Sequence, residues 1–314
     1  MNILITGASG LIGSQLLQKM DKENHNIYCQ SRNHHDHPTV KWIKHNLITD
    51  SWEDLPLPHL DIVYYLASQT STYKAKELPI EDLSINVIGL LRLLEYLRKQ
   101  PKPSFVVLAG TATEVGLTDH LPINESFPDN PITFYDLSKL TAERYLKQYI
   151  REGWVKGCAL RLANVFGRSM ATQQKDRGII DKVYNRAILG QNITLYGDGD
   201  YLRDYIYIED VITAFILAAN NIETTNGRSF YIGSGKELTL KDAFLKVIEI
   251  AAKRTGSRVS LEYMQPPADL SEMEYRNALI DSSAFKKATG WAPKFDFETG
   301  IEDSYKSAST LSSF

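Results

Sequence analysis

Asn2-Ile3-Leu4-Ile5-Thr6-Gly7-Ala8-Ser9-Gly10-Leu11-Ile12-Gly13 opens the chain, and the architecture follows from how it reads. Ile3-Leu4-Ile5 is a short apolar run suited to a buried strand. It leads straight into three glycines and then into a helical pattern, Leu11, Ile12, Leu16, Leu17 and Met20. Strand, glycine turn, helix is the context a dinucleotide site requires. The first glycine permits the tight turn, the second lets backbone approach a pyrophosphate, and the third packs helix on sheet. The helix N-terminus then faces the phosphates. The spacing is G-x-x-G-x-x-G, and Ser9, Leu11 and Ile12 share the turn with Gly7, Gly10 and Gly13.

Further strands are expected at Asn26–Gln30, Val40–Ile43, Asp61–Ala67, Phe105–Ala109 and Gly157–Ala163, with helical patterns between several of them. A long amphipathic helix is predicted from about Ile80 to Arg98. Its apolar stripe is Leu83, Val87, Leu90, Leu91, Leu94 and Leu97, with Asn86 on the polar side. Alternating strands and helices predict an α/β fold with a doubly wound parallel sheet. Beyond Gly167 the alternation breaks, and Tyr205–Ile208 with the helix after Val211 reads as a return to the first region. A smaller C-terminal substrate lobe is therefore expected to interleave with the sheet domain. The division is 1–166 plus about 200–232 for the dinucleotide domain, and about 167–199 plus 233–314 for the lobe.

The 314 residues carry a net charge of -3, 43% hydrophobic and 23% charged residues, an ordinary globular composition. No positive field draws the chain to nucleic acid or to an anionic membrane. No basic residue precedes the apolar run at Met1–Gly7, which predicts no signal peptide and a cytoplasmic protein. Cys29 and Cys158 sit in apolar strands and read as buried free thiols. His34, His35 and His37 lie in a polar loop without further ligands, so no metal site is expected.

Tyr135 and Lys139 are four apart on a predicted helix and so share a face. A cation beside a phenol favours the phenolate, which suits proton transfer at an alcohol carbon that gives or receives a hydride. At the end of the second strand, Ser31-Arg32 lacks the acidic residue that holds a ribose diol, and Arg32 favours a 2′-phosphate, hence NADP over NAD. Thr111 and Thr113 end a buried strand where hydroxyls can face a ligand.

Taken in order, the glycine turn, Asp61-Ile62-Val63 with Leu66-Ala67, Asn86, Thr111, and Tyr135 with Lys139 form a specific set. It continues through Leu160-Arg161-Leu162-Ala163-Asn164-Val165-Phe166-Gly167, Leu195-Tyr196-Gly197-Asp198-Gly199, Arg203 to Val211 and Thr289-Gly290-Trp291-Ala292-Pro293. The chain resembles the extended short-chain dehydrogenase/reductase family, in its nucleotide-sugar epimerase and dehydratase branch, on a Rossmann sheet. The resemblance implies that Ser31 and Arg32 meet the adenosine ribose and that Asn46 and Leu47 meet the adenine. Leu66, Ala67, Ser68 and Asn86 would line the cofactor. Tyr135 would be the acid/base, Thr111 would orient the reacting hydroxyl, and Lys139 would bond the nicotinamide ribose and depress the Tyr135 pKa. Thr113 and Asn164 would touch the sugar or its phosphate, Leu195 and Tyr196 would cradle the base, and Arg203 would pair with the diphosphate. A homodimer through a four-helix bundle is also implied, from the Ile80–Arg98 and Phe134–Arg151 helices.

The chain departs from that pattern in places. Glu114-Val115-Gly116 replaces Val-Tyr-Gly, and Thr111-Ala112-Thr113 stands where the 4,6-dehydratases have Thr-Asp-Glu, so elimination of water is not expected. A gapped alignment would instead put Glu114 on the dehydratase glutamate. Prolines precede Asp269, leaving Arg276 as the candidate for the second diphosphate contact. The expected activity is an NAD(P)-dependent nucleotide-sugar epimerase that oxidises C4 transiently. A 4-ketoreductase or C4 dehydrogenase is the alternative, and a non-catalytic dinucleotide sensor a third.

Overall fold

A computed structural model describes residues 1–20, 25–33, 35, 37–167, 178–267 and 271–306. Seven parallel strands form one sheet: β1 (Asn2–Thr6), β2 (Asn26–Ser31), β3 (Lys41–Lys44), β4 (Ile62–Tyr65), β5 (Phe105–Thr111), β6 (Lys156–Leu162) and the strand Ser229–Ile232. Their spatial order is Ser229–Ile232, β6, β5, β4, β1, β2, β3. The chain winds outward from β1 in both directions, so the order reverses between β1 and β4. Ligands of open α/β sheets bind at the carboxyl ends of the strands flanking such a reversal. Gly7 and Leu66-Ala67 stand there.

Side chains alternate across each strand. Ile3 and Ile5 join the core under the Leu11–Met20 and Ile208–Asn220 helices, whereas Leu4 joins the one under the Pro79–Leu97 and Phe134–Arg151 helices. The Ser229–Ile232 strand, absent from the sequence reading, pairs with β6 and buries Phe230, Tyr231 and Ile232 completely. Its four residues are too few to show a period. Cys29 and Cys158 are buried and form no disulfide, as expected.

The helix after Pro79 differs from its predicted stripe. Leu83 is 46% exposed, Leu91 is half-buried, and Leu93 is buried. A π-turn at Ser84–Ile88 is the cause. Each bond there spans one extra residue, so the faces on either side slip out of phase. The turn rotates Asn86 inward until it is buried, against the expectation of a polar, outer position.

After β6 only Ser229–Ile232 joins the sheet among the described residues, and the other strands form short pairs. Asn164–Phe166 runs parallel to Tyr205–Tyr207, Ile193–Tyr196 parallel to Leu261–Met264, and Leu202–Arg203 antiparallel to Leu238–Thr239. Trp291 closes the core beneath the Ile208–Asn220 helix, its Nε1 donating to the Asp210 carbonyl at 3.0 Å. Among the described residues no helix is long and apolar enough to cross a membrane.

Candidate active site

The glycine turn is built for close approach. Gly7 has φ +65, and a Cβ there would meet the Ala67 backbone at 2.8 Å. A Cβ on Gly13 would lie 2.4 Å from the Gly7 carbonyl, and one on Gly10 2.9 Å from the same oxygen, which accepts the Gly10 N–H at 2.8 Å. The loop facing it is pinned by Thr6, whose hydroxyl accepts the Leu66 and Ala67 N–H groups at 3.1 and 3.2 Å. Gln30 holds the turn from the other side, accepting from Gly7 N at 3.1 Å and donating to the His45 carbonyl at 2.6 Å. Thr6 and Gln30 escaped the sequence reading; a polar residue inside an apolar strand was their signal. A side-chain-free turn ahead of a helix N-terminus fits a dinucleotide pyrophosphate.

At the adenosine end, Ser31 is buried with its hydroxyl on the Asn33 carbonyl, and Arg32 is exposed. Asn46 is exposed and caps its own turn through Ile48 N at 3.0 Å, while the Leu47 side chain is buried in the core. Only backbone atoms of Leu47 can therefore serve a ligand. Asn86 accepts from Ser68 Oγ at 2.8 Å and Gln69 N at 2.9 Å, and donates to Ser138 Oγ and Asp82 at 3.0 Å each. It ties the loop after β4 to the helix that carries Tyr135.

Thr133 caps that helix. Tyr135 is half-buried in its first turn, and Lys139 is buried one turn on. Lys139 Nζ donates to the Ala109 carbonyl at 2.5 Å and to Ser68 Oγ at 3.4 Å. Burial lowers its pKa to about 8, against the pull of Glu114, Asp82 and Glu143. The expected lowering of the Tyr135 pKa is not what the chain's own groups produce. Burial pushes the phenol up, and the negative charges of Asp136, Glu114 and Asp82 add to it, against the nearby Thr111 hydroxyl. Sharing a helix face does not suffice, because Lys139 is drawn toward the end of β5.

Thr111, Thr113, Asn164 and Arg276 line one cavity, together with Asp204 and Ile280. Burial lowers the Arg276 pKa to about 10, and the nearby Arg203 charge adds to the effect. Arg203 does not reach this cavity. Its guanidinium is buried, donating to the carbonyls of Leu202 at 3.0 Å, Glu274 at 2.6 Å and Arg276, and it lies 4.6 Å from the Tyr201 ring centroid. The expected diphosphate contact is thus turned onto the backbone of the segment that presents Arg276. Leu195 is buried and Tyr196 exposed, and neither lines the cavity. Asp204, missed in the sequence, accepts from Ser234 N and Oγ, Gly235 N and Ile280 N at 2.7–3.0 Å. It holds the cavity floor.

Glu114 also stays out of the cavity. It accepts from Thr111 N at 3.1 Å and lies 3.1 Å from Arg161 Nε. Arg161 in turn grips Glu143 through two bonds of 2.8 and 2.9 Å and Asp129 at 2.7 Å. Glu114 therefore does not stand where a dehydratase glutamate would face the sugar. Among the described residues no cluster could hold a metal ion, and His34 and Asp269 lie outside them.

Residues 3–233 match the family described as NAD dependent epimerase/dehydratase. The chain belongs to that family. It is an enzyme of the extended short-chain dehydrogenase/reductase type. It is 28% identical over 309 residues to a putative UDP-glucose 4-epimerase of Methanocaldococcus jannaschii, covering 96% of both chains. To the UDP-glucose 4-epimerase of Mycolicibacterium smegmatis it is 26% identical over 314 residues, again covering 96% of each. The crystal structure of Thermotoga maritima UDP-glucose 4-epimerase with UDP-glucose superposes with a TM-score of 0.88 at 26% identity, over 99% of both chains.

Proposed function

We propose that the chain is an NAD-dependent nucleotide-sugar 4-epimerase acting on a UDP-sugar. The observation that carries this reading is one juxtaposition. Tyr135 lies close to Thr111, which lines a cavity with Thr113, Asn164 and Arg276 on the sheet whose β1 ends in the glycine turn. The relatives that match over nearly their whole lengths are named UDP-glucose 4-epimerases. A bound nicotinamide supplies a reversible hydride acceptor. The chain's own residues bind and orient the sugar and move the proton of its 4-hydroxyl. Holding phenol, hydroxyl and acceptor in register supplies an orientation term worth roughly 7–11 kcal/mol. Arg276 pairs with the diphosphate, which a guanidinium fork suits.

Incubation of the pure protein with UDP-glucose, with and without added cofactor, tests the reading. A 4-epimer formed with no net change in cofactor redox state supports it. Stoichiometric consumption of reduced cofactor would make the enzyme a ketoreductase instead. With no acid at Ser31-Arg32 and Arg32 exposed, the adenosine end also accommodates a 2′-phosphate. Competition of NADP against NAD measures that preference. The domain division follows the same reading, with residues 1–166 and about 200–232 carrying the cofactor and the remainder the sugar nucleotide. Ile80, Leu83, Phe134, Leu137 and Tyr145 are each more than two-fifths exposed on the two helices that would form a dimer bundle.

A further inference from the structure

Asp82 lies on the short Pro79–Leu83 helix and is 1% exposed. Its Oδ1 accepts from Gln69 Nε2 at 2.9 Å and from Asn86 Nδ2 at 3.0 Å. A carboxylate only accepts, so both amides turn their nitrogens toward it. Asn86 thereby presents Oδ1 to the loop after β4, where it accepts from Ser68 Oγ at 2.8 Å and Gln69 N at 2.9 Å. Gln69 likewise presents Oε1 to Ser71 N at 2.5 Å, while its Nε2 also reaches the Ser71 carbonyl at 2.9 Å. On the far side of the loop, Lys139 Nζ donates to Ser68 Oγ at 3.4 Å and to the Ala109 carbonyl at 2.5 Å. A row of hydrogen bonds therefore joins Asp82, Asn86, Ser68 and Lys139.

We propose that Asp82 is a positioning residue for the cofactor side of the site. It sets which way the Asn86 and Gln69 amides point, and its charge holds the Lys139 ammonium against the Ser68 loop. The proposal deepens the reading above and rests on it for the cofactor alone.

The charges say why a carboxylate stands there. A buried carboxylate is costly unless a partner uses its charge. Among the described residues Asp82 forms no ion pair, and its contacts are neutral amides. Burial lowers the Lys139 pKa, and Glu114, Asp82 and Glu143 oppose it. Glu114 and Glu143 both lie on the Arg161 guanidinium, at 3.1 and 2.8 Å, which largely neutralises them. Asp82 has no such competitor. Tyr135, one turn before Lys139, is the other titratable group on that helix face.

The test uses the full chain carrying carbon-13 at the lysine ε-carbons. The Lys139 signal, identified by its loss in Lys139→Arg, is followed through a pH titration without ligand. Asp82→Asn keeps the size and an acceptor oxygen but removes the charge. The expected midpoint lies at lower pH than in the wild type, with the ratio of neutral to charged amine at pH 8 raised about threefold or more. A residue that only fills space leaves the midpoint where it is, and an unchanged midpoint overturns the proposal. Calorimetry with NAD carries the effect to the cofactor. Affinity should fall about threefold or more at pH 8 and stay near wild type at pH 6.5, where the amine is charged in both proteins. Equal loss at both pH values, or none at either, overturns the charge role. If the wild type binds no NAD, the cofactor reading fails by itself, and the titration still decides on Asp82. If Asp82→Asn does not fold, the wild type decides. Its Asn86 side-chain amide protons, held on Asp82 and Ser138, should exchange slowly with water, and fast exchange overturns the arrangement.

Discussion

At the residue scale, Tyr135 and Lys139 divide the labour differently from a simple pair. The phenol lies near Thr111, which lines the cavity, and the amine braces the end of β5 through Ala109. Tyr135→Phe removes the acid/base hydroxyl and leaves the shape. It should lower kcat by roughly 10²–10⁴-fold with KM nearly unchanged, measured as UDP-sugar epimerisation.

Glu143 gives a residue-level prediction for stability. Its carboxylate is buried, and its bonds and charge pairing with Arg161 and Lys147 outweigh desolvation and bring its pKa to about 2 from 4.5. The unfolded chain therefore takes up the proton first as pH falls. The contribution is complete above about pH 4.5 and is lost as pH drops toward about 2. Glu143→Gln should flatten that part of the stability–pH curve. At neutral pH it should cost about 3–5 kcal/mol, since it leaves Arg161 short of a buried partner. Denaturant titrations at several pH values check both.

At the element scale, two local devices position the site. Gly13 allows the Leu11–Met20 helix to rest on the Gly7 carbonyl. Gly13→Ala puts a methyl 2.4 Å from that oxygen, so helix and turn must part. Dinucleotide affinity should fall by about tenfold or more, read by calorimetry with NAD. The π-turn at Ser84–Ile88 brings Asn86 between the Ser68–Gln69 loop and Ser138. Asn86→Leu strands several buried partners and should cost about 3 kcal/mol in denaturant unfolding. The glycine turn is visible in the sequence because its residues are local and their chemistry is steric. The π-turn is not, because no residue type in Ser84-Ile85-Asn86-Val87-Ile88 calls for it. It becomes apparent only through what Asn86 bonds.

At the scale of the whole molecule, the apolar residues left outside on the Pro79–Leu97 and Phe134–Arg151 helices call for a partner. A second copy of the chain is the expected one. Phe134, Leu137 and Tyr145 recur at helical spacing on one exposed strip. Leu137→Asp should convert a dimer to a monomer in light scattering at micromolar concentration with little change in the monomer's secondary structure. A wild-type monomer would refute the arrangement.

The sequence by itself determined the parallel sheet, the glycine turn at its first strand and the family's order of motifs. These depend on short-range periodicity and on residue types whose sterics act within a few positions. Tertiary structure alone decided that Arg203 turns onto backbone while Arg276 faces the cavity. It alone buried Asn86 and Asp136 and joined Asp136 to Thr111 through Thr113. Where a long side chain points, and which charges act on it, depends on groups distant in the chain and on the water that packing removes.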